Sequence, residues 1–265
     1  VEYVGVIGRR IERLYRQIGT GFAFVVFGVG GVVLSVTLFP LFNVVYSDRH
    51  RRSRIAQSTV RATWGLFVWM LVNMRLIDLE TEGAELLRRE TGTLVIANHP
   101  SLIDIVLLIS LMERAQCVVK KGVWNNPFMR GVVKATNYIP NLGEPERTLR
   151  ECVAALHAGN NLVIFPEGTR TKPGHQVRLE RGFANIAIRA GAPIRIVTVR
   201  CDPPLLRKGE KWYKSPVRRP RFRVCVGERI ETAEVLGSRL PARCARDLTA
   251  QITKRFEEVI AHESA

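Results

Sequence analysis

An uncharged stretch from Ile18 to Ser47 constrains this chain most, because it is long, apolar and bounded by arginines at both ends. It holds Phe22, Phe24, Phe27 and Phe39 among valines and leucines. A helix needs roughly 20 apolar residues to cross a bilayer, so the stretch is long enough to span one. It is too long for the apolar region of a secretory signal, and no small-residue cleavage site closes it. Arg9, Arg10, Arg13 and Arg16 precede it; Arg49, Arg51, Arg52 and Arg54 follow it. A single span would leave one cluster on the non-cytoplasmic side, against the positive-inside tendency. The charges therefore favour a monotopic or re-entrant segment over a full span. The chain would either break near Gly28-Val29-Gly30-Gly31 or kink at Pro40 and dip into one leaflet.

A second apolar segment, Ala62 to Met74, carries Trp64 and Trp69 between Arg61 and Arg75. At about 1.5 Å per residue it reaches about 20 Å, too short to span. Tryptophans beside arginines suit a helix at head-group level, and the same pattern suits an amphipathic helix packed on the domain. Residues 1–77 are thus expected to be membrane-associating helices, with Phe22, Phe24, Phe27, Phe39, Trp64 and Trp69 as the membrane-binding side chains. Residues 78–265 are expected to form one catalytic domain. The net charge of +16 adds attraction to anionic surfaces. No nucleic-acid recognition motif or stacking-aromatic array accompanies that charge, so an anionic membrane surface is the expected partner and nucleic acid is not.

From Leu94 onward short apolar runs alternate with helical patterns. Leu94 to Ala97, Gln116 to Val119, Leu162 to Phe165 and Ile194 to Arg200 read as buried strands. Ser101 to Met112, Glu146 to His157 and Leu179 to Ala190 read as the helices between them. Arg221 to Val226 alternates as a strand, and Leu240 to Ile260 reads as an amphipathic closing helix. The fold class is α/β, a sheet flanked by helices, with the hydrophobic helical segment at its N-terminal side. The five cysteines are widely spaced with no C-x-x-C pair, so neither a disulfide framework nor a metal site is expected.

Two strand ends carry the chemistry. In Leu94-Val95-Ile96-Ala97-Asn98-His99-Pro100-Ser101-Leu102-Ile103-Asp104 an apolar strand ends in a histidine, with a carboxylate following in the next segment. A carboxylate on one ring nitrogen fixes the tautomer and leaves the other nitrogen as a base for a hydroxyl. Ser101-Leu102-Ile103-Asp104 also fits a capping box, in which Asp104 serves only the helix start. The second strand end is Phe165-Pro166-Glu167-Gly168-Thr169-Arg170. Gly168 permits a tight turn, Thr169 offers a hydroxyl and Arg170 can hold a phosphate bidentately. Glu167 can orient that arginine or accept from a substrate hydroxyl; a plain turn with a surface ion pair is the competing reading. Strand ends on one sheet edge lie together, so both stretches can face one site.

Together these residues resemble the glycerolipid acyltransferases, specifically the 1-acylglycerol-3-phosphate (lysophosphatidic acid) acyltransferases. Asn98-His99 with Asp104 matches the family's H-x4-D motif, and Phe165 through Arg170 matches its F-P-E-G-T-R motif. The similarity runs from about Asp78 to Arg200 and includes Lys120-Lys121. It implies that His99 deprotonates an acceptor hydroxyl, Asp104 orients His99, and the hydroxyl attacks an acyl thioester on coenzyme A or acyl carrier protein. Glu167, Gly168, Thr169, Arg170, Lys120 and Lys121 would then bind substrate, with a lysophospholipid as acceptor. The thioester is a co-substrate, and no cofactor or metal is implied. The expected location is the cytoplasmic face of a membrane. The chain departs from the family at Asn141, where an arginine is usual, and at Ile196, where a proline is usual. The first departure leaves Arg147, Lys120 or Lys134 to compensate, or a different acceptor.

Overall fold

The computed structural model describes residues 2–170, 179–232 and 241–262. Its centre is a seven-stranded sheet of β1 (Asp78–Glu82), β2 (Leu94–Ala97), β3 (Ala115–Lys120), β4 (Ile139–Asn141), β5 (Asn161–Ile164), β6 (Ile194–Asp202) and β7 (Arg221–Ile230). The spatial order is β1-β7-β6-β2-β5-β3-β4. Every pair is parallel except β6 with β7. Parallel strands are covered on both faces, which is why β2 and β5 read as unbroken apolar runs.

The two-residue alternation of a strand divides these runs between two cores. Val95, Ala97, Val163 and Val197 face one core, while Leu94, Ile96, Leu162 and Ile196 face the other. The second core is closed by α8 (Pro145–His157), α9 (Gly182–Ala190) and α10 (Pro241–His262). On α10, Cys244, Leu248, Ile252 and Phe256 are buried, at the spacing expected of an amphipathic helix. The expected residue Leu240 lies outside the described residues.

Two strands escape the apolar-run criterion. The β1 sequence, Asp-Leu-Glu-Thr-Glu, lies at the sheet edge beside β7. Ion pairs Asp78–Arg219, Glu80–Arg221 and Glu82–Arg223 tie its carboxylates to the β7 side. Strand β4 is short and contains Pro140, which an edge position tolerates.

The first core is closed from outside by the N-terminal helices α1 (Glu2–Val36), α2 (Leu38–Val45) and α3 (Arg49–Asn73). Helix α1 runs unbroken through Gly28–Gly31, which corrects the expected hairpin break. Gly31 instead lets another segment approach closely. A Cβ on Gly31 would lie 2.5 Å from the Phe128 carbonyl oxygen, just before α7 (Arg130–Ala135). The chain interrupts its helix at Thr37, near the expected kink at Pro40, and turns back at residues 46–48. Helix α3 then returns along α1: the Tyr15 hydroxyl donates to the Met74 carbonyl at 2.7 Å, and Phe27 packs on Trp64 and Phe67. The segment expected at Ala62 to Met74 is thus the second half of one 25-residue helix.

Helix α3 buries Ser53, Ala56, Gln57, Val60, Trp64, Val68 and Leu71. The helix packs against α5 (Asp104–Leu111). Trp64 and Phe39 are therefore core residues, not lipid-facing ones, and Phe27 is partly buried against the core. Phe22, Phe24 and Trp69 are exposed. The outer face of α1 presents Ile11, Leu14, Ile18, Phe22, Val25, Val29, Val33 and Val36, an exposed stripe at helical spacing.

Because the Gly31 contact is with backbone, Gly31→Ala should strain the α1–α7 junction and lower stability by about 1–3 kcal/mol. Gly30→Ala, whose added Cβ meets nothing within 4 Å, should leave it unchanged or slightly raised. Thermal unfolding of the two purified variants checks this; equal melting temperatures would refute the packing role.

Candidate active site

Strands β2 and β5 are hydrogen-bonded neighbours, with Leu94 opposite Leu162 and Ile96 opposite Ile164. Being parallel and in register, they release their two motifs at one sheet edge. Asn98, the first residue beyond β2, anchors its turn to β6. Its side-chain amide donates to the Val199 carbonyl at 2.8 Å, and its oxygen accepts from the Val199 N–H at 2.7 Å. This reciprocal pair sets where His99 leaves the sheet.

The His99 Nδ1 lies 2.9 Å from Oδ2 of Asp104, the first residue of α5. The same Oδ2 accepts the Ser101 backbone N–H at 2.7 Å. Asp104 therefore orients the histidine and secures the helix start at once. Only half of a capping box forms, because the buried Ser101 hydroxyl has no hydrogen-bond partner. Asp104 is wholly buried. Burial pushes its carboxyl above the usual carboxylate range, against the pull of the His99 and Ser101 donors. A hydrogen bond to this carboxylate assigns the proton to Nδ1 and leaves Nε2 as an acceptor. The imidazole also stacks on Phe165 of the second motif, with centroids 4.1 Å apart and planes 17° from parallel. Pairing and stacking together leave the ring little freedom.

Glu167 joins the two motifs directly: its Oε1 accepts the His99 backbone N–H at 3.3 Å. Gly168 has φ of +64°, a conformation that favours glycine, and a Cβ there would sit 2.7 Å from Oε1 of Glu180. The Glu180 N–H in turn donates to the Pro166 carbonyl at 2.8 Å. Arg170 is partly buried and donates to the Leu206 carbonyl at 2.8 Å. Thr169 lies between them, partly buried.

Lys120 ends β3, which pairs with β5, and Lys121 begins α6 (Lys121–Trp124). Both lysines are exposed at the same sheet edge as the motifs. Asn141 ends β4 beside Lys120. Arg147 is engaged by Glu151 at 2.9 Å and by Glu144 at 3.7 Å, and Lys134 lies on α7. Burial raises the thiol pKa of Cys201, on the neighbouring β6, to about 12, so it supplies no thiolate nucleophile here.

An apolar cavity of about 680 Å³ adjoins the dyad. Leu102 and Ile103, between His99 and Asp104, line it, as does Leu206, whose carbonyl holds Arg170. Its far wall is α1, through Phe24 and Phe27, with Trp64 of α3. Sequence reasoning missed the anchoring role of Asn98, the stacking role of Phe165 and the contribution of Leu206. Strand–turn order flags the first two, whereas Leu206 lies far off in the chain and gives no local signal.

The raised carboxyl of Asp104 has a stability consequence. The folded chain holds this proton more tightly than the unfolded chain does. Its stabilising contribution is therefore full below the ordinary value of 3.8 and is lost as pH rises through the raised folded value. The stability of the wild type relative to Asp104→Asn should therefore fall as pH rises from 4. Thermal unfolding of both across pH 4 to 8 checks it, and a difference that stays constant or moves the other way would refute it.

Residues 78–202 match the family model described as Acyltransferase, which bears out the resemblance read from the two strand-end motifs. The chain is 30% identical over 150 residues to a 1-acyl-sn-glycerol-3-phosphate acyltransferase of Cocos nucifera, covering 54% of this chain and 47% of the relative. It is 26% identical over 185 residues to a chloroplastic enzyme of the same name from Brassica napus, covering 68% and 52%. The chain thus spans about half the length of these curated relatives. The crystal structure of the 1-acyl-sn-glycerophosphate (LPA) acyltransferase PlsC from Thermotoga maritima matches with a TM-score of 0.70. That match covers 96% of this chain and 98% of that one at 20% identity, and it establishes the fold.

Proposed function

We propose that the acyltransferase domain at residues 78–202 transfers a fatty acyl group from an acyl thioester to the free hydroxyl of a lysophospholipid. The favoured acceptor is 1-acylglycerol-3-phosphate, with phosphatidic acid as product. The observation that carries this reading is the His99–Asp104 pair at 2.9 Å beside an apolar cavity. A fatty chain needs such a cavity, and a hydroxyl needs such a base.

In the reaction, Nε2 of His99 takes the acceptor's hydroxyl proton as its oxygen attacks the thioester carbonyl. The carbon–sulfur bond then breaks, and the imidazolium returns the proton to the departing sulfur, releasing a free thiol. Asp104 holds the tautomer and steadies the imidazolium through Nδ1. Thioesters are reactive enough that no covalent enzyme intermediate is needed. Lys120, Lys121 and Arg170 would attract the acceptor's phosphate. Acyl-CoA and acyl carrier protein both fit as donors.

The membrane reading rests on α1. This helix lies along α3 and is tied to residues 213–217 by bonds from Arg16 and Gln17 to backbone carbonyls. Farther along, within its apolar stretch, α1 also packs on the domain where the Phe128 carbonyl meets Gly31, so standing it upright in a bilayer would drag that segment into hydrocarbon. Lying in the plane of one leaflet, it buries its outer apolar stripe and keeps both arginine clusters at head-group level. That arrangement resolves the charge symmetry which a full span could not. We place the chain on the cytoplasmic face.

A second acceptor class is favoured by one observation. The edge strand β4 ends in Asn141, and Arg147 is held by carboxylates. Thiol release from acyl-CoA or acyl carrier protein, measured over a panel of lysophospholipids and other alcohols, separates the two readings. His99→Ala should lose about 100- to 10,000-fold in turnover. Asp104→Asn should lose a similar factor, because an amide facing Nδ1 would favour the wrong tautomer. Turnover that survives in His99→Ala would refute the base. Turnover confined to acceptors without a phosphate would shift the assignment to the second class.

A further inference from the structure

A second cleft, of about 260 Å³, opens where α2, α3 and α7 meet. It shares no lining residue with the cavity beside His99. Its polar lining is Arg52, Lys134, Asn43 and Ser35, and no carboxylate contributes. Among the described residues, neither Arg52 nor Lys134 forms an ion pair. Around it Arg49, Arg51 and Arg54 crowd the same helix start. Asp48, the nearby carboxylate, is occupied in accepting the His50 and Arg51 backbone N–H groups. Like charges gathered this closely repel unless an anion sits among them.

The rest of the cleft is apolar. Phe39, Pro40 and Phe42 form one wall, and the exposed Leu38, Leu41, Val44 and Val45 of α2 continue outward from it. An inorganic ion would have no use for that rim, whereas an amphiphile would. The volume equals that of about nine waters at about 30 Å³ each, enough for a phosphate and its glycerol.

We propose that this cleft binds the phosphate head of an anionic glycerophospholipid from the host leaflet, apart from the reacting acceptor. Arg52 and Lys134 take the phosphate, Asn43 faces the glycerol, and the acyl chains run along α2. The site locks the elbow of the N-terminal helices at head-group level and so sets the height of the cavity mouth over the lipid. This inference rests on the membrane-surface reading of α1 and is independent of the acyl-transfer reading.

The test is titration of the detergent-solubilised full chain with dihexanoyl-phosphatidylglycerol below its micelle concentration, followed by tryptophan fluorescence and native mass spectrometry. Wild type should bind one lipid saturably. Arg52→Gln with Lys134→Gln should weaken binding at least about tenfold. Ala135→Leu, which fills the cleft without changing charge, should weaken it comparably. The control pair Arg49→Gln with Arg51→Gln removes the same charge beside the cleft and should stay within about twofold. Equal weakening by both charge pairs would mean diffuse attraction and overturn the site. Tight binding of inorganic phosphate alone at the same residues would overturn the lipid assignment. Partition onto neutral phosphatidylcholine vesicles reads the α1 stripe separately, and all variants should retain it. Its loss in the wild type would count against the membrane reading, whatever the titration shows.

Discussion

The parallel pairing of β2 with β5 is the contact on which the rest of the structure depends. With Leu94 opposite Leu162, both strands end at the same level and their turns emerge side by side. A slip of one residue in either strand would invert that strand's faces, sending Val95 or Val163 into the wrong core. The register is thus specified by two hydrophobic cores at once. The consequence is chemical: Glu167 of one turn reaches the backbone of His99 in the other, and Phe165 stacks on the imidazole.

On that frame the site spends stability on orientation. A fully buried carboxylate is costly, and Asp104 keeps one oxygen, Oδ1, without a hydrogen-bond partner. Its other oxygen holds both His99 and the start of α5. Moving the histidine would therefore disturb the helix, and fraying the helix would release the histidine. Such coupling keeps the imidazole in one tautomer without a long network of supporting groups.

The N-terminal helices belong to the same physical unit as the sheet. Helix α3 buries one stripe against α5, and α1 supplies a wall of the apolar cavity while leaving its own outer stripe uncovered. One helix thus has two apolar faces with different purposes. The inner one closes the protein, and the outer one needs a lipid surface or another apolar cover. Gly31 of α1 belongs to the inner arrangement, because it admits the backbone of Phe128.

How much was legible in the sequence follows from where each signal is stored. Continuous apolar runs declare buried parallel strands, so β2, β3, β5 and β6 and the α/β class could be read directly. The His99–Asp104 and Phe165–Arg170 patterns are local in the chain, so the histidine–carboxylate pair and the second turn were legible too. Edge strands carry no such signal: β1 is held by ion pairs with residues more than a hundred positions away, and only the fold creates them. Apolar composition likewise marks a helix as lipid-compatible without telling which face meets lipid. Trp64 and Phe39 turned inward because α3 and α2 pack on the domain, while Phe22, Phe24 and Trp69 remained outside. The sequence by itself determined the chemistry of the strand ends, because it resides in neighbouring residues. Tertiary structure alone decided which aromatics are core and that Lys134 meets Arg52 in a separate cleft. Those outcomes depend on distances between segments that no local pattern records.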